Sequence, residues 1–584
     1  MVPSCPHMRL GVSFRRSIWL LAILASLSAL MVFAIGGGTW RIAGLRLSVT
    51  DPLRPFALAI VAASFYLWRT PRNQQNEDGR WLLATGERIL IVSTLMAVLL
   101  ALAVGVCFGS YAATGADAFG YLSQARLWLQ RDLIVEQTFV AGFDWPERSH
   151  VFSPLGYRPI SDSGTIVPTY APGLPMLMAA FRLLGENGPF FVVPILGSLA
   201  VACTYLLGRR ATGSRAIGAA AAWLLLASPT FLAYVTLPMT DVAAAAGWCL
   251  VCVLALREPA SRPLAAGLVA SATLLVRPNL LLLALAPVGG WVSAPAIPAR
   301  ARIAWFAAGL LPGVLSVATI NAYLYGSPLV SGYGSLADTY ALSFALENLR
   351  NYGRSLIQTQ TPLVLLAFVP LVAGGVWRRD DVSSSARACM AALMLLTFVS
   401  YVFYQPFPLW HFLRFLLPAF PALFVLMAAG IRWIAFAMPP VARAPIALYL
   451  FASCVIFSAG YSRDVLAPEY RAFAQRGQRA AEHVARLTPP ESVIFAVEHS
   501  GSVRYYSGRT TARFDWLPAD YLDIAIRDLR AKGRPAYIVV DDWEEPGFRE
   551  RFASRNASGS LESWPLARVP GTPEVRLYEL NVPP

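Results

Sequence analysis

The chain has 584 residues, 56% of them hydrophobic and 14% charged, with a mean hydropathy of +0.52 and a formal net charge of +14. Soluble domains carry about 25% charged residues, so the apolar excess here has to face lipid. The positive charge does not point to nucleic acid either, because the arginines stand at the ends of apolar blocks and form no basic tract.

In chain order, apolar blocks fall near 17–36, 55–68, 89–110, 189–207, 216–235, 238–256, 264–276, 279–292, 303–325, 361–377, 388–404, 412–434 and 444–461. Most approach the roughly twenty residues that carry a helix across about 30 Å of hydrocarbon. The expected fold is a polytopic α-helical membrane protein with about thirteen spans, followed by a soluble α/β domain. Block 17–36 follows Arg9, Arg15 and Arg16 as a signal peptide would, but it is longer than a signal core and reads as an uncleaved helix. Six of the seven cysteines lie in or beside these blocks, where a thiol packs as a small hydrophobe; the Cys249/Cys252 pair is read the same way.

Alternate loops are basic: Arg69, Arg72, Arg80 and Arg88; Arg209, Arg210 and Arg215; Arg257 and Arg262; Arg300 and Arg302; Arg378, Arg379 and Arg387; Arg432 and Arg443. The positive-inside rule makes these loops cytoplasmic, together with the N-terminus. Loops 111–188, 235–238, 326–360 and 405–411, and everything after 461, then lie outside a cell membrane. This parity needs 264–276 and 279–292 to be two short passes meeting at Arg277-Pro278, below the outer surface. One long tilted helix is the other reading, and it would put the C-terminal domain inside.

The first large outer loop reads from Asp117 as an amphipathic helix on the membrane surface, with Asp117, Tyr121, Gln124 and Trp128 on one face. Asp117 fits two roles, a helix N-cap or a carboxylate that holds a substrate beside aromatic rings. The loop ends in Tyr170-Ala171-Pro172-Gly173-Leu174-Pro175, a rigid turn into a second interfacial helix over 174–184. Asp241 follows Pro238 at the outer start of a span, where N-cap and functional carboxylate are again both open. His411 and Arg414 stand one turn apart at the outer start of another span and suit an anionic headgroup or phosphate. Arg277 near mid-bilayer costs roughly 2.5 to 3.5 kcal/mol on insertion scales, which points to a functional partner.

Beyond 461 the pattern becomes that of a small α/β domain. Helices are expected over 469–487 and 520–531 and buried strands over 493–497, 536–540 and 575–580. No phosphate-binding glycine pattern follows a strand. Asp541 and Asp542 end a strand and read as caps of the next helix, with ligand binding as the alternative.

Together these segments resemble the C-type membrane glycosyltransferases, the superfamily that includes protein O-mannosyltransferases, aminoarabinose transferases and bacterial Rgt-like sugar transferases. The resemblance spans roughly residues 85–461 and rests on Asp117, the 170–175 turn, Met239-Thr240-Asp241, Arg277-Pro278 and Arg414-Phe415-Leu416-Leu417-Pro418. It implies three regions: 1–84, two extra helices and a cytoplasmic loop; 85–461, the transmembrane catalytic core; and 462–584, the outer domain. It implies Asp117 as catalytic base, Asp241 as a second catalytic carboxylate, and Tyr121, Arg126, Tyr170, Arg277, His411 and Arg414 as substrate-binding residues. The implied partners are a polyprenyl-phosphate sugar donor, membrane lipid, and a glycan, lipid or protein acceptor, with inversion at the anomeric carbon. No cofactor is implied. Ala118 stands where many relatives have the second acid of a pair, which weakens the case for a divalent metal in that loop. A transporter or flippase for lipid-linked glycans is the alternative, although no inverted repeat is apparent.

Overall fold

The computed structural model describes residues 11–35, 38–42, 45–49, 51–256, 262–293, 299–335, 337, 339–372, 382–561, 565–572 and 574–581. Arg9 and the predicted cytoplasmic residues Arg257, Arg378 and Arg379 lie outside them.

Among the described residues, seven helices are long and apolar enough to cross a membrane, or nine if each of two bent pairs is one span. The seven are Val12–Leu30, Ile89–Cys107, Gly188–Thr212, Ala299–Tyr325, Ser384–Val402, Trp410–Phe436 and Pro440–Val465. The difference from the expected thirteen lies in length. Thr240–Ala255, Pro263–Val276 and Pro278–Val292 are apolar but short, and Arg215–Ala227 bends by 66° into Pro229–Val235 because Pro229 cannot continue the helix ladder. Leu342–Gln360 turns by 110° into Pro362–Val372 through Thr361, which holds a left-handed φ of 67°. The 411–436 segment is the hub: Leu417, Phe420, Phe424 and Leu426 are all fully buried within the bundle.

The Arg277-Pro278 junction is a reversal. Proline excludes the α region for the residue before it, and Arg277 accordingly sits at φ −150°, ψ 83°. Beyond the break, Asn279 reaches Tyr401, whereas Trp291 Nε1 donates to the carbonyl of Ala255, at the far end of the helix that starts at Thr240. The chain thus goes up and comes back, and Arg277 occupies the tip.

Two helices precede the core. Their ends are tied to the third by Asp78, which accepts from Arg15 Nε (2.6 Å) and Nη2 (2.9 Å), Arg16 Nε (3.0 Å) and the Tyr66 hydroxyl (3.0 Å). Strands β1 (Gly38–Ile42) and β2 (Leu45–Val49) form an antiparallel hairpin between the first two helices.

In the segment 111–188, helix Gly115–Gln130 departs from the expectation of a surface-lying helix. Phe119, Tyr121, Leu122, Gln124 and Ala125 are buried, because the helix is covered on both sides. Tyr170 presses on Gly120 so closely that a Cβ there would stand 2.3 Å from its ring, and Gly501 abuts the Phe119 ring from the other side. Its apolar residues run around more than one face, so a second cover was required. Strands β3 (Tyr157–Pro159) and β4 (Ile166–Pro168) close the loop before helix Gly173–Arg182.

The C-terminal segment builds a five-stranded sheet from β5 (Val493–Phe495), β6 (Thr510–Ala512), β7 (Ala536–Asp541), β8 (Ala567–Arg568) and β9 (Val575–Glu579), in the order β6-β5-β7-β9-β8. β5 is parallel to β6 and β7, and β9 is antiparallel to β7 and β8. All three residues of β5 and all six of β7 are buried, as strands covered on both faces must be. Ile494, Tyr537 and Val539 face helix Arg476–Leu487, while Val493, Phe495, Ile538 and Val540 face the opposite layer. That opposite layer includes Phe143, Trp145, Val151 and Phe152 of the segment 111–188, so the two segments, distant in sequence, share one core. Arg504 fastens them, donating to Gln137 Oε1 (2.6 Å), the Thr511 carbonyl (3.0 Å) and the Phe152 carbonyl. Its burial beside no carboxylate lowers its pKa to about 10.

Candidate active site

Two helix starts and two breaks converge on one cavity. Asp117 lies in the first turn of Gly115–Gln130, and Asp241 in the first turn of Thr240–Ala255. Neither caps its helix: the N-cap positions are Thr114 and Met239. Gly115 enters its helix at φ +63°, a conformation that aims the following turn inward at little cost only without a Cβ. Arg277 projects from the proline break, and Arg414 from a 3-10 stretch, Trp410–Ala419.

The four charges form a chain. Arg277 Nη1 donates to Asp241 Oδ1 at 2.7 Å. Arg414 Nη1 donates to Asp117 Oδ2 at 3.0 Å and lies 3.9 Å from Asp241 Oδ2. One guanidinium therefore reaches both carboxylates, although 124 positions separate them in sequence. Asp241 is 1% exposed and wedged between two arginines, whereas Asp117 keeps 27% of its side chain open. Arg414 Nε, buried, has no hydrogen-bond partner among the described residues.

Aromatic rings wall the charges in. Arg414 lies 5.2 Å from the Phe415 ring centre and 5.4 Å from that of Tyr234, and Arg277 is 5.7 Å from Tyr401. Such contacts lower the cost of desolvating a guanidinium without neutralising it. Tyr121 packs 4.8 Å from Tyr170, and its hydroxyl is 3.2 Å from Thr240 Oγ1. Burial, with the Asp117 charge adding to it, pushes the Tyr121 and Tyr170 phenols up, so both keep their protons. The cavity holds about 240 Å³ and is lined by Asp117, Tyr121, Tyr170, Asp241, Arg277 and Arg414 of the sequence-predicted set.

Two predicted substrate-binding residues do not line it. Arg126 stacks 3.6 Å over the Tyr505 ring and so faces the C-terminal domain. His411 packs between Trp410 and Phe412. Gln124, placed on the Asp117 face by helical spacing, is fully buried outside the cavity without a hydrogen-bond partner.

Other lining residues went unremarked in the sequence. Asn279, whose side chain donates to the Tyr401 hydroxyl at 3.0 Å, directly follows the Arg277-Pro278 break. Tyr333, Tyr340 and Tyr404 complete the roof and wall. Their signal was the tyrosines near 333–340, in a predicted outer loop, and near 401–404, at the predicted outer end of a span, on the side assigned to the site.

In the C-terminal domain, Asp541 is not the predicted cap. Both its oxygens are buried without a hydrogen-bond partner, and the following helix starts after Glu544.

No protein-family model and no curated protein matches the sequence. Solved structures do. ArnT from Cupriavidus metallidurans bound to undecaprenyl phosphate aligns with a TM-score of 0.53 at 13% identity, over 84% of this chain and 99% of that one. ArnT in the apo state gives 0.50, again at 13% identity, over 86% and 100%. The Archaeoglobus fulgidus oligosaccharyltransferase tethered with an acceptor peptide gives 0.49 at 11% identity, over 79% and 70%. At this level of identity the ArnT likeness establishes a shared fold.

Proposed function

We propose that this protein, whose fold is that of the C-type membrane glycosyltransferases, moves a sugar from a polyprenyl-phosphate carrier to an envelope glycan, lipid or protein acceptor. The observation that carries the proposal is the Asp117–Arg414–Asp241–Arg277 chain around one cavity. ArnT, of the same fold, binds undecaprenyl phosphate.

The chemistry follows from what each group offers. A polyprenyl phosphate leaves as an anion that is already stable, so no general acid is needed, in contrast to the paired carboxyl groups of glycosidases. Asp117, the more open carboxylate, takes the proton of the acceptor hydroxyl as that oxygen attacks the anomeric carbon. The carbon–oxygen bond to phosphate breaks on the opposite face, and the configuration inverts. Arg414 and Arg277 stabilise the departing phosphate. Arg414 Nε, with no partner in the cavity, supplies a free donor for a phosphate oxygen. When the phosphate draws Arg414, its hold on Asp117 loosens and the base is freed. Asp241, shielded between the arginines, acts as a positioning residue and not as a second base. A cavity of about 240 Å³ lies below the roughly 300–1,000 Å³ common for ligand sites, which favours a single sugar over an oligosaccharide donor.

The proposed placement is a cell membrane, with the cavity and the C-terminal domain on the outer side and the N-terminus in the cytoplasm. The test is transfer of label from a polyprenyl-phosphate sugar to a membrane extract by purified protein. Loss of transfer in a folded Asp117→Asn variant supports the reading; transfer at the parental rate removes Asp117 as the base. Movement of intact lipid-linked glycan without transfer would point to a flippase.

A further inference from the structure

The C-terminal sheet contains a second cluster with no part in the proposed transfer. The chain leaves β5 through helix Ser500–Ser507 to β6 on one side, and returns through helix Leu522–Ala531 to β7 on the other. The carboxyl ends of β5 and β7 therefore flank a topological switch point, the crevice in which open α/β sheets place ligands. His499 follows β5, Asp541 ends β7, and Glu544 lies one turn beyond. One donor atom from each lies within 4.8 Å of the other two.

Two of the three are buried, Glu544 is half-buried, and the acceptors of Asp541 are without a hydrogen bond among the described residues. His499 is 1% exposed and Asp541 0%. His499 Nε2 stands 3.2 Å from Asp541 Oδ2, yet neither that nitrogen nor either Asp541 oxygen makes a hydrogen bond. Close approach without hydrogen-bond alignment leaves both atoms open to a shared cation, and ligands of a tetrahedral zinc stand about 3.3 Å apart. Glu544 is oriented by the backbone N–H groups of Glu498 (3.0 Å) and Asp541 (3.2 Å), which fix its carboxylate beside the other two.

The charges are out of balance. Arg476 donates to Glu498 Oε1 at 3.1 Å, and its Nε, 3.6 Å from Asp541, forms no hydrogen bond. Two carboxylates, Glu498 and Asp541, meet this one guanidinium, and Glu544 stands beside Asp541, an excess of negative charge that a dication would neutralise. One imidazole and two carboxylates form a donor set that suits zinc better than magnesium or calcium, which take oxygen alone.

We propose that His499, Asp541 and Glu544 form a zinc site at the switch point of the C-terminal sheet. Glu498 links this site to the catalytic loop, since its Oε1 would stand 3.4 Å from a Cβ on Gly115, two residues before Asp117. Zinc here therefore braces the contact between the domain and the Asp117 helix. The site stands on its own geometry and does not depend on the glycosyl-transfer reading.

The test uses full-length protein in detergent, stripped with a chelator, dialysed against zinc and measured for bound metal and for melting temperature. The expected result is one retained zinc per chain and a higher melting temperature than the stripped protein. His499→Ala and Asp541→Asn should weaken zinc by at least the roughly 10–100-fold typical of a lost supporting residue. Glu544→Gln keeps the acceptor oxygen for the backbone while losing charge, so it supplies the comparison should the other variants misfold. Absence of retained zinc, or retention equal in the parent and in folded Glu544→Gln and His499→Ala proteins, overturns the proposal.

Discussion

Two Arg–Asp clusters in this molecule are built from the same residue types and differ in how fully their charges are satisfied. At the N-terminal helices, Asp78 is fully buried and saturated by Arg15, Arg16 and Tyr66, which leaves no acceptor for anything else. At the cavity, Asp117 has one arginine partner, stays partly open, and stands beside an arginine whose Nε is unpaired. A closed ion cluster holds helices together. An open one retains charge that a substrate can use, and the protein bears its desolvation cost in advance.

That contrast can be broken or sharpened by substitution. Asp117→Asn should reduce transfer by about 10²- to 10⁴-fold, the usual worth of a positioned general base, with the melting temperature near that of the parent. Asp78→Ala should do the reverse: breaking a buried pair costs about 3–5 kcal/mol, read as a lower melting temperature, while the folded fraction transfers at the parental rate. If Asp78→Ala abolished transfer in folded protein, the division between structural and functional clusters would fail. Arg414→Lys keeps the charge and loses the fork; losing one charged hydrogen bond of about 1.5–3 kcal/mol predicts a drop of roughly 10- to 150-fold in kcat/KM.

The C-terminal domain offers a pH test. Burial pushes the Glu545 carboxyl up, but hydrogen bonds from Arg549 and Arg576 outweigh it and hold the group below its ordinary range. A depressed carboxyl stabilises the fold above its unfolded pKa and loses that contribution as pH falls through the folded value. The melting temperature should therefore drop as pH falls below about 4, and Glu545→Gln should flatten that slope. The smallest effect belongs to His411→Ala, which should leave kcat/KM within about twofold, since the ring is packed outside the cavity.

Much of the site was legible because it is made of expensive residues. Asp241 and Arg277 drew attention as charges inside apolar blocks, where nothing but a partner justifies them, and each proves to be the other's partner at 2.7 Å. The turn at Arg277 was legible too, because proline restricts the residue before it whatever surrounds it. His411 was placed with Arg414 on spacing alone, which does not show that its ring packs against Trp410 and Phe412 away from the cavity. The surface placement of the Asp117 helix failed because a sequence does not say what will cover a second apolar face.

The sequence alone determined that the chain belongs in lipid, which loops are basic, and which few charges needed partners. Those properties follow from transfer free energies and local backbone rules, which act residue by residue. Only the tertiary structure decided that Arg414 reaches both Asp117 and Asp241, that Phe143 and Phe152 of the segment 111–188 complete the core of the C-terminal sheet, and that His499 meets Asp541 across two strands. These are contacts between residues far apart in the chain, and their existence depends on how whole helices and strands pack, which no local pattern encodes.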